Sequence, residues 1–298
     1  MQTRPHAKKS LGQNYLQDGN IIRKIVSALA VSSDDRVLEI GPGLGALTRE
    51  LAAASPTTLT LVEKDYTWAF ERNREFFSQT EKDCPISGKK EPAGGRLGGG
   101  VILADAMTLA WEHLDGVRKI IGNLPYNIAS PLMWEIFSRV PGFSHPESAE
   151  KMRAVFMMQK EVGQRLAAHP GSREYGALSV WVQSFVVPKL EFIVPPTVFY
   201  PRPKVDSAVL SFVPRIPSDA FPPLSVEDRL ALSSLLRLTF QQRRKQLGTI
   251  MKKMAARDGE LWAAVGLSPS SRPENLAPHD FLRLARHSWK LSHRAHEE

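Results

Sequence analysis

Four short apolar segments, each followed by a glycine-rich or polar turn, constrain this chain more than any other feature. They lie at 36–40, 58–62, 101–104 and 119–122, and helical patterns at 46–54 and 65–77 separate the first three. Such alternation predicts an α/β fold with a parallel sheet. The near-continuous apolar character of the segments indicates that helices cover both faces of the sheet. Apolar runs at 154–157, 189–194 and 208–213 predict further strands, some of them antiparallel.

The sequence suggests two domains. A proline-rich stretch at 214–225 contains four prolines and predicts a linker. It would separate an α/β catalytic domain at 1–213 from a small helical domain at 226–298, with helices at 226–240, 242–256, 260–265 and 278–289. Ser225 is the expected N-cap of the first of these helices. Within the catalytic domain, the glycine-rich stretch 84–100 predicts a flexible surface insert.

Composition narrows the possible partners and compartments. The formal net charge is +8 with an isoelectric point near 9.6, which favours a polyanion such as nucleic acid, although generic solubility is the simpler explanation. The single cysteine, Cys84, excludes an internal disulfide and argues against a cysteine-based zinc site. The histidines show no metal-ligand spacing. No run of residues is long and apolar enough to span a bilayer, so we expect a cytoplasmic protein. We also expect a monomer that holds no metal.

Three consecutive strand ends carry residues suited to an adenosine ligand. The first is followed by Gly41, Gly43 and Gly45, where the backbone can turn sharply and approach a ligand. The second ends at Glu63 and the third at Asp105, and a carboxylate in this position accepts hydrogen bonds from ribose hydroxyls. The alternative is an ordinary strand-to-helix turn. A phosphate-binding P-loop motif is absent from the sequence.

The fourth strand is followed by Asn123-Leu124-Pro125-Tyr126. The Asn123 side chain and the carbonyls of Leu124 and Pro125 are hydrogen-bond acceptors, and Tyr126 offers an aromatic face. This set suits a planar base that carries an exocyclic amine. The alternative is a simple Asn-x-Pro turn with a half-buried tyrosine.

Five motifs in a fixed order make the chain resemble a known family. They occupy 8–16, 39–45, 123–126, 199–207 and 240–247, and begin with KKSLGQNYL and end with FQQRRKQL. Together they resemble the small-subunit ribosomal RNA adenine dimethyltransferases over nearly the whole chain. The resemblance implies a Rossmann-like methyltransferase domain followed by a small all-helical domain. It also implies methyl transfer from S-adenosylmethionine to two adjacent adenosines near the 3′ end of 16S rRNA, in a precursor of the small ribosomal subunit.

The resemblance assigns roles to individual residues. The ribose hydroxyls are expected at Glu63 and the adenine amine of the cofactor at Asp105. The target base is expected at Asn123, Pro125 and Tyr126, with Phe199 as a second stacking surface; core packing is the alternative for Phe199. The complete set of implied cofactor contacts is Asn14, Leu16, Gly41, Glu63, Asp105 and Asn123. Two departures from the family pattern are Tyr15, where phenylalanine is usual, and the lengthened stretch that contains 84–100.

Basic residues near the last two motifs are candidate RNA contacts. Arg243, Arg244 and Lys245 are expected on helices, where they would form a positive face. Arg202 and Lys204 follow Phe199 and would contact phosphates nearer the target base. A positive face that is merely solvated is the alternative.

Two other functions compete with this interpretation. Antibiotic-resistance methylases that modify adenine in large-subunit rRNA share the start of the chain and the Asn-x-Pro-Tyr motif. The motifs at 8–12, 175–180 and 240–247 favour the small-subunit enzymes. A non-catalytic RNA-binding assembly factor or transcription factor on the same fold would be expected to lack cofactor residues, whereas Glu63, Asp105 and Asn123 are all present.

Overall fold

The computed structural model describes residues 13–77, 98–114, 116–144, 151–252 and 260–294. Residues 84–97 of the predicted insert 84–100, with Cys84, and the basic motif at 8–12 lie outside these ranges. The strands are β1 (Tyr15–Leu16), β2 (Arg36–Ile40), β3 (Thr58–Glu63), β4 (Gly98–Leu103), β5 (Lys119–Asn123), β6 (Arg153–Gln159), β7 (Val186–Val194), β8 (Phe199–Tyr200) and β9 (Ser207–Pro214). The helices are α1 (Gly19–Leu29), α2 (Ala46–Ala53), α3 (Tyr66–Phe76), α4 (Ala129–Arg139), α5 (Pro141–Ser144), α6 (Lys160–Leu166), α7 (Ala177–Phe185), α8 (Val226–Phe240), α9 (Leu247–Ile250), α10 (Glu260–Val265) and α11 (Pro278–Arg294).

Seven strands form one mixed sheet in the order β4-β3-β2-β5-β6-β9-β7. The pairs from β4 to β6 are parallel, whereas β9 is antiparallel to both β6 and β7. The parallel sheet and the later antiparallel pairing predicted from the sequence are therefore confirmed. β1 and β8 pair separately, so the start of the described chain lies against the segment that precedes β9.

Each face of the sheet has its own apolar cluster, because successive strand residues point to opposite sides. On β2, Val37 belongs to one cluster and Leu38 to the other. The Val37 cluster includes residues of α1, α2 and α3. The Leu38 cluster includes residues of α4, α7, α8 and α11. Helices on both faces confirm the predicted Rossmann-like architecture.

The C-terminal helices continue the second cluster. Leu232 of α8 and Phe281 of α11 are fully buried in the same apolar cluster as Phe212 of β9. Ser225 caps α8 as expected, because its hydroxyl accepts from the Asp228 backbone amide at 3.1 Å. The division at 214–225 remains a prediction, and the apolar core is continuous across it. No helix among the described residues is long and apolar enough to cross a membrane.

Two local predictions are wrong. Gly98, Gly99 and Gly100 belong to β4, where they pair with 58–60 of β3, so this end of the glycine-rich stretch is sheet. The helix expected at 242–256 does not begin at 242, because 241–245 form turns and α9 starts only at Leu247. Arg243, Arg244 and Lys245 therefore lie in a turn between two helices. Residues 241–246 are all polar or basic, so this segment lacks the apolar spacing that marks the buried face of a helix, and the helix prediction failed there.

Gly99 supplies a test of the sheet assignment. Its φ is +124°, and a Cβ there would lie 2.1 Å from the Leu59 carbonyl oxygen, so Gly99→Ala forces the two strands apart. We expect a loss of about 2 kcal/mol or more in the free energy of unfolding, measured by denaturant titration. Gly176→Ala is the control, since nothing lies within 4 Å of its Cβ position. Equal stability of the two variants would contradict the pairing.

Candidate active site

A deep pocket opens at the carboxyl ends of β2, β3, β4 and β5. Parallel strands end on one edge of a sheet, which is where α/β folds bind ligands. The pocket brings together every residue of the predicted cofactor set and the target-base residues at 123–126. Its lining includes Asn14, Leu16, Glu39, Gly41, Glu63, Lys64, Asp105, Asn123, Pro125 and Tyr126.

The glycine turn forms the floor of the pocket. Gly41, Gly43 and Gly45 have φ values of +66°, +50° and +75°, a region that side chains with a Cβ rarely adopt. The space in front of Gly41 is open, since a Cβ there would meet nothing within 4 Å. The turn can therefore admit a ligand close to its backbone. α2 begins directly after it.

Two buried carboxyl groups lie behind the turn. Glu63 is 6% exposed and accepts hydrogen bonds from the backbone amides of Gly43 at 3.1 Å and Asp65 at 2.8 Å. Glu39 is 1% exposed, and its Oε2 has no hydrogen-bond partner among the described residues. Burial, together with repulsion from Glu63, raises the pKa of Glu39 to about 8. Glu39 is therefore neutral at neutral pH, which leaves the pocket with less negative charge than its sequence suggests.

Asp105 has an ion-pair partner that the sequence did not indicate. The Lys64 ammonium lies 2.7 Å from Asp105 Oδ2, and the Met107 amide donates to Oδ1 at 3.0 Å. These hydrogen bonds hold the pKa of Asp105 below its ordinary value. The Lys64 side chain is 59% exposed, so the pair is solvated and can open at little cost.

Asn123 and Tyr126 are held by hydrogen bonds that orient their polar side-chain atoms. The Asn123 amide nitrogen donates to the Asn14 carbonyl at 2.9 Å, which leaves Oδ1 as the acceptor available to the pocket. The Tyr126 hydroxyl lies 2.8 Å from the Ser207 hydroxyl. The Pro125 carbonyl accepts from the Ile128 amide at 3.1 Å, and its second lone pair stays available.

The start of the described chain covers the pocket. The Tyr15 hydroxyl donates to Gln13 at 2.7 Å and accepts from the Trp68 indole at 3.0 Å. Gln13 in turn donates to Asp65 at 3.2 Å. Sequence reasoning noted Tyr15 only as a substitution and missed this network, because Trp68 and Asp65 are 53 and 52 residues from their partners.

The remaining predicted residues lie outside the pocket. Phe199 is 5% exposed and packs in the cluster of α1 and α2, so its stacking role stays a prediction that this conformation does not display. Arg202 and Lys204 are exposed on the segment between β8 and β9. Arg243 binds Glu274 at 3.0 Å and the Arg173 carbonyl at 3.1 Å. Arg244 and Lys245 are exposed beside it.

Comparison with known proteins identifies the family. The model of a family described as ribosomal RNA adenine dimethylase matches residues 4–86 and 100–288. The chain belongs to the ribosomal RNA adenine dimethylase family. It is therefore an rRNA adenine dimethyltransferase, and the methyltransferase predicted from the sequence is confirmed. The interruption at 87–99 coincides with most of the glycine-rich stretch.

Curated members of the ribosomal RNA adenine dimethylase family are similar over nearly their whole length. Ribosomal RNA small subunit methyltransferase A of Nitratidesulfovibrio vulgaris is 50% identical over 283 residues, which are 94% of this chain and 96% of that protein. The protein of the same name from Oleidesulfovibrio alaskensis is 51% identical over 286 residues, 94% and 91% of the two chains.

Two solved structures share the fold. A dimethyladenosine transferase from Plasmodium falciparum has a TM-score of 0.67 at 22% identity and covers 93% of this chain and 98% of its own. The 23S rRNA methyltransferase ErmE has a TM-score of 0.61 at 23% identity and covers 91% and 98%. Both support the methyltransferase fold, and neither distinguishes the RNA substrate.

The raised pKa of Glu39 predicts a pH dependence of stability. In the unfolded chain the carboxyl group ionises near 4.5, whereas in the fold it holds its proton up to about 8. Rising pH therefore favours the unfolded state between these values and has no further effect above them. Glu39→Gln removes this contribution, so we expect the stability of the variant relative to wild type to increase from pH 5 to pH 8. Parallel stability–pH curves for the two proteins, measured with urea, would contradict a neutral Glu39.

Proposed function

We propose that this protein transfers methyl groups from S-adenosylmethionine to N6 of two adjacent adenosines near the 3′ end of small-subunit (16S) rRNA, two methyls to each. The adenine acceptor follows from the family. The small-subunit substrate is inferred from two relatives named ribosomal RNA small subunit methyltransferase A, which are 50% and 51% identical to this chain over 94% of its length. The observation that carries the chemistry is the convergence of Asn123 and Tyr126 with the glycine turn and two acids in one pocket.

The pocket fits S-adenosylmethionine by the chemistry of its donors and acceptors. The open space at Gly41 accepts a ligand against the backbone. We assign the ribose hydroxyls to Glu63, whose backbone hydrogen bonds hold the carboxylate oriented. We assign the adenine amine to Asp105, which must then exchange its Lys64 partner for the ligand. Asn14 and Leu16 close the pocket from the side of the N-terminal segment. The bound cofactor supplies an activated methyl on a sulfonium.

The protein's task is to position a weak nucleophile. The lone pair of an adenine N6 is delocalised into the ring, so it attacks only when it is drawn out of conjugation and held in line. We infer that Asn123 Oδ1 and the Pro125 carbonyl accept the two amine hydrogens. These fixed dipoles stabilise the positive charge that develops on nitrogen. Hydrogen bonding of Asn123 to Asn14 fixes the acceptor before the base arrives.

The proton needs no dedicated base. A methylated adenine carrying an extra proton on N6 is acidic enough to lose it to water. Nor do the described residues contain a group of three His, Cys, Asp or Glu side chains arranged to bind a metal. We propose that the enzyme acts as a monomer in the cytoplasm, where its rRNA substrate is assembled.

RNA docking is assigned to exposed basic residues outside the pocket. Arg244 and Lys245 are exposed in the turn after α8, and Arg202 and Lys204 are exposed after β8. Arg243 contributes less than its sequence suggests, because its guanidinium is already bound to Glu274. Phosphate contacts of this kind position the RNA without reading its sequence.

Asn123→Ala tests the amine-holding site. We expect single-turnover methylation at saturating cofactor to fall by about a hundred- to a thousandfold, since one positioned polar group is lost. Binding of the RNA should change little, because it rests on phosphate contacts elsewhere. A single-turnover rate within a few-fold of wild type would mean that Asn123 is only a turn residue.

Two substitutions of Tyr126 distinguish base stacking by its ring from hydrogen bonding by its hydroxyl. Tyr126→Phe keeps the ring and loses the Ser207 contact, so we expect activity within a few-fold of wild type. Tyr126→Ala loses about 1–3 kcal/mol of base stacking, which should lower kcat/KM by about 5- to 150-fold. Equal losses in the two variants would show that the hydroxyl, and not the ring, supports the reaction.

Methyl transfer from labelled cofactor to undermethylated ribosomal subunits tests the substrate. We expect label in adenosines of the small-subunit rRNA and none in large subunits supplied at the same concentration. Incorporation into large subunits would instead support the resistance-methylase function. Binding of small subunits without any transfer would support the non-catalytic assembly factor.

A further inference from the structure

A second recess lies on the opposite edge of the sheet from the active-site pocket. It has a volume of about 580 Å³ and is formed where β5 and β6 begin and β9 ends. Four cationic side chains line it: Lys119, Lys151, Arg153 and Arg215. The methyltransferase chemistry assigned above uses none of them.

Lys119 is the most unusual of the four. Its side chain is 6% exposed, and its ammonium lies 3.9 Å from Asp35, too far for a hydrogen bond. Within the described ranges no other acceptor lies within hydrogen-bonding distance of this nitrogen. Its Nζ is not one of the fully enclosed polar atoms, so solvent in the recess, or a ligand that replaces this solvent, supplies the acceptors that the protein does not. Burial accordingly lowers the pKa of Lys119.

Neither arginine forms a salt bridge with an acidic residue in the part of the chain that is described, although the Glu191 carboxylate is near enough to interact with Arg153. Arg153 donates to the Ala28 carbonyl at 3.1 Å, and Arg215 donates to the Gln183 carbonyl at 2.7 Å. These bonds to backbone oxygens fix each guanidinium without neutralising its charge. The Arg215 guanidinium also lies 3.9 Å above the Phe221 ring, which holds it flat.

The acids near the recess do not cancel its charge. Asp34 binds Lys151 at 3.0 Å, and Asp35 lies by Lys119. These two carboxylates offset two of the four cations. A third carboxylate, Glu191, is shared between Arg153 and Lys189, whose ammonium lies 3.0 Å from it, so an excess of positive charge remains. A recess with pre-oriented guanidinium donors and excess positive charge has the chemistry of an oxyanion site.

We propose that this recess binds a backbone phosphate of the substrate RNA, as a docking site separate from the active-site pocket. Lys119 and Asn123 are the two ends of β5, so about 13 Å of strand separate the recess from the target-base site. A folded rRNA domain is wide enough to reach both edges of the sheet at once. The proposal rests on the RNA substrate of the proposed function, and its test is therefore kept independent of catalysis.

The test reverses one exposed charge at the recess and one outside it. Lys151 and Arg283 are both 49% exposed and both paired with a carboxylate, at 3.0 Å and 2.7 Å, and only Lys151 lines the recess. For Lys151→Glu we expect weaker binding of undermethylated small subunits and a log–log salt slope smaller by about 0.7. Arg283→Glu should leave the affinity and the slope near wild type. Equal weakening by both variants would overturn the proposal, since it would reflect net charge alone.

Arg153→Gln removes a cation that lies deeper in the recess, and its thermal unfolding midpoint verifies the fold. We expect it also to lower subunit affinity, with cofactor affinity and the single-turnover rate at saturating subunits unchanged. If wild type itself transfers no methyl groups to small subunits, the proposed function is wrong, and this result is distinct from a failure of the docking proposal. Unchanged subunit binding in both Lys151→Glu and Arg153→Gln overturns the RNA contact.

Calorimetry with inorganic phosphate and adenosine monophosphate distinguishes the source of the phosphate. Millimolar or weaker binding of both to wild type, reduced in Arg153→Gln, fits one contact among many along an RNA backbone. Tight binding of the mononucleotide combined with unaltered subunit binding in the variants would show a small-molecule site and overturn the RNA assignment.

Discussion

Parallel pairing of β2 with β3 and β5 is the constraint on which the active-site pocket depends. Ile40 pairs with Val62 on one side and with Gly122 on the other, so three strands end at the same level. The residue or turn that follows each strand therefore projects into one space. A shift of one residue in any of these pairs would turn its side chains to the other face of the sheet and separate the acids from the glycine turn.

Glycines make this close approach of strands possible. A Cβ at Gly122 would lie 2.8 Å from the Ile40 carbonyl oxygen, and one at Gly99 would collide with β3. The sheet therefore requires glycine at positions 99 and 122, where neighbouring strands leave no room for a side chain. The consequence is a rigid edge, on which Asn123 and Glu63 are held by bonds to the main chain.

The active-site pocket and the rest of the surface differ in charge. At the active-site pocket Glu39 is neutral by burial, while Asp105 stays ionised beside Lys64. The pocket can thus accept hydrogen bonds from a ligand without holding several unpaired negative charges in a small volume. Positive charge lies instead on exposed turns and in the recess at the opposite edge of the sheet, where a polyanion can be bound over a wide surface.

The sequence by itself determined the parallel sheet, its helical cover, the cap of α8 and the three strand ends that build the active-site pocket. These are local properties, since apolar periodicity and turn residues act within a few positions of the chain. Family membership was also readable, because its motifs are contiguous. Only the tertiary structure decided the Lys64–Asp105 pair, the engagement of Arg243 by Glu274 and the burial of Phe199. The same holds for the Tyr15–Trp68 contact and the cationic recess. Each of these features brings together residues that are far apart in the chain. Their contacts depend on how the helices and strands pack, and a local sequence pattern does not predict that packing.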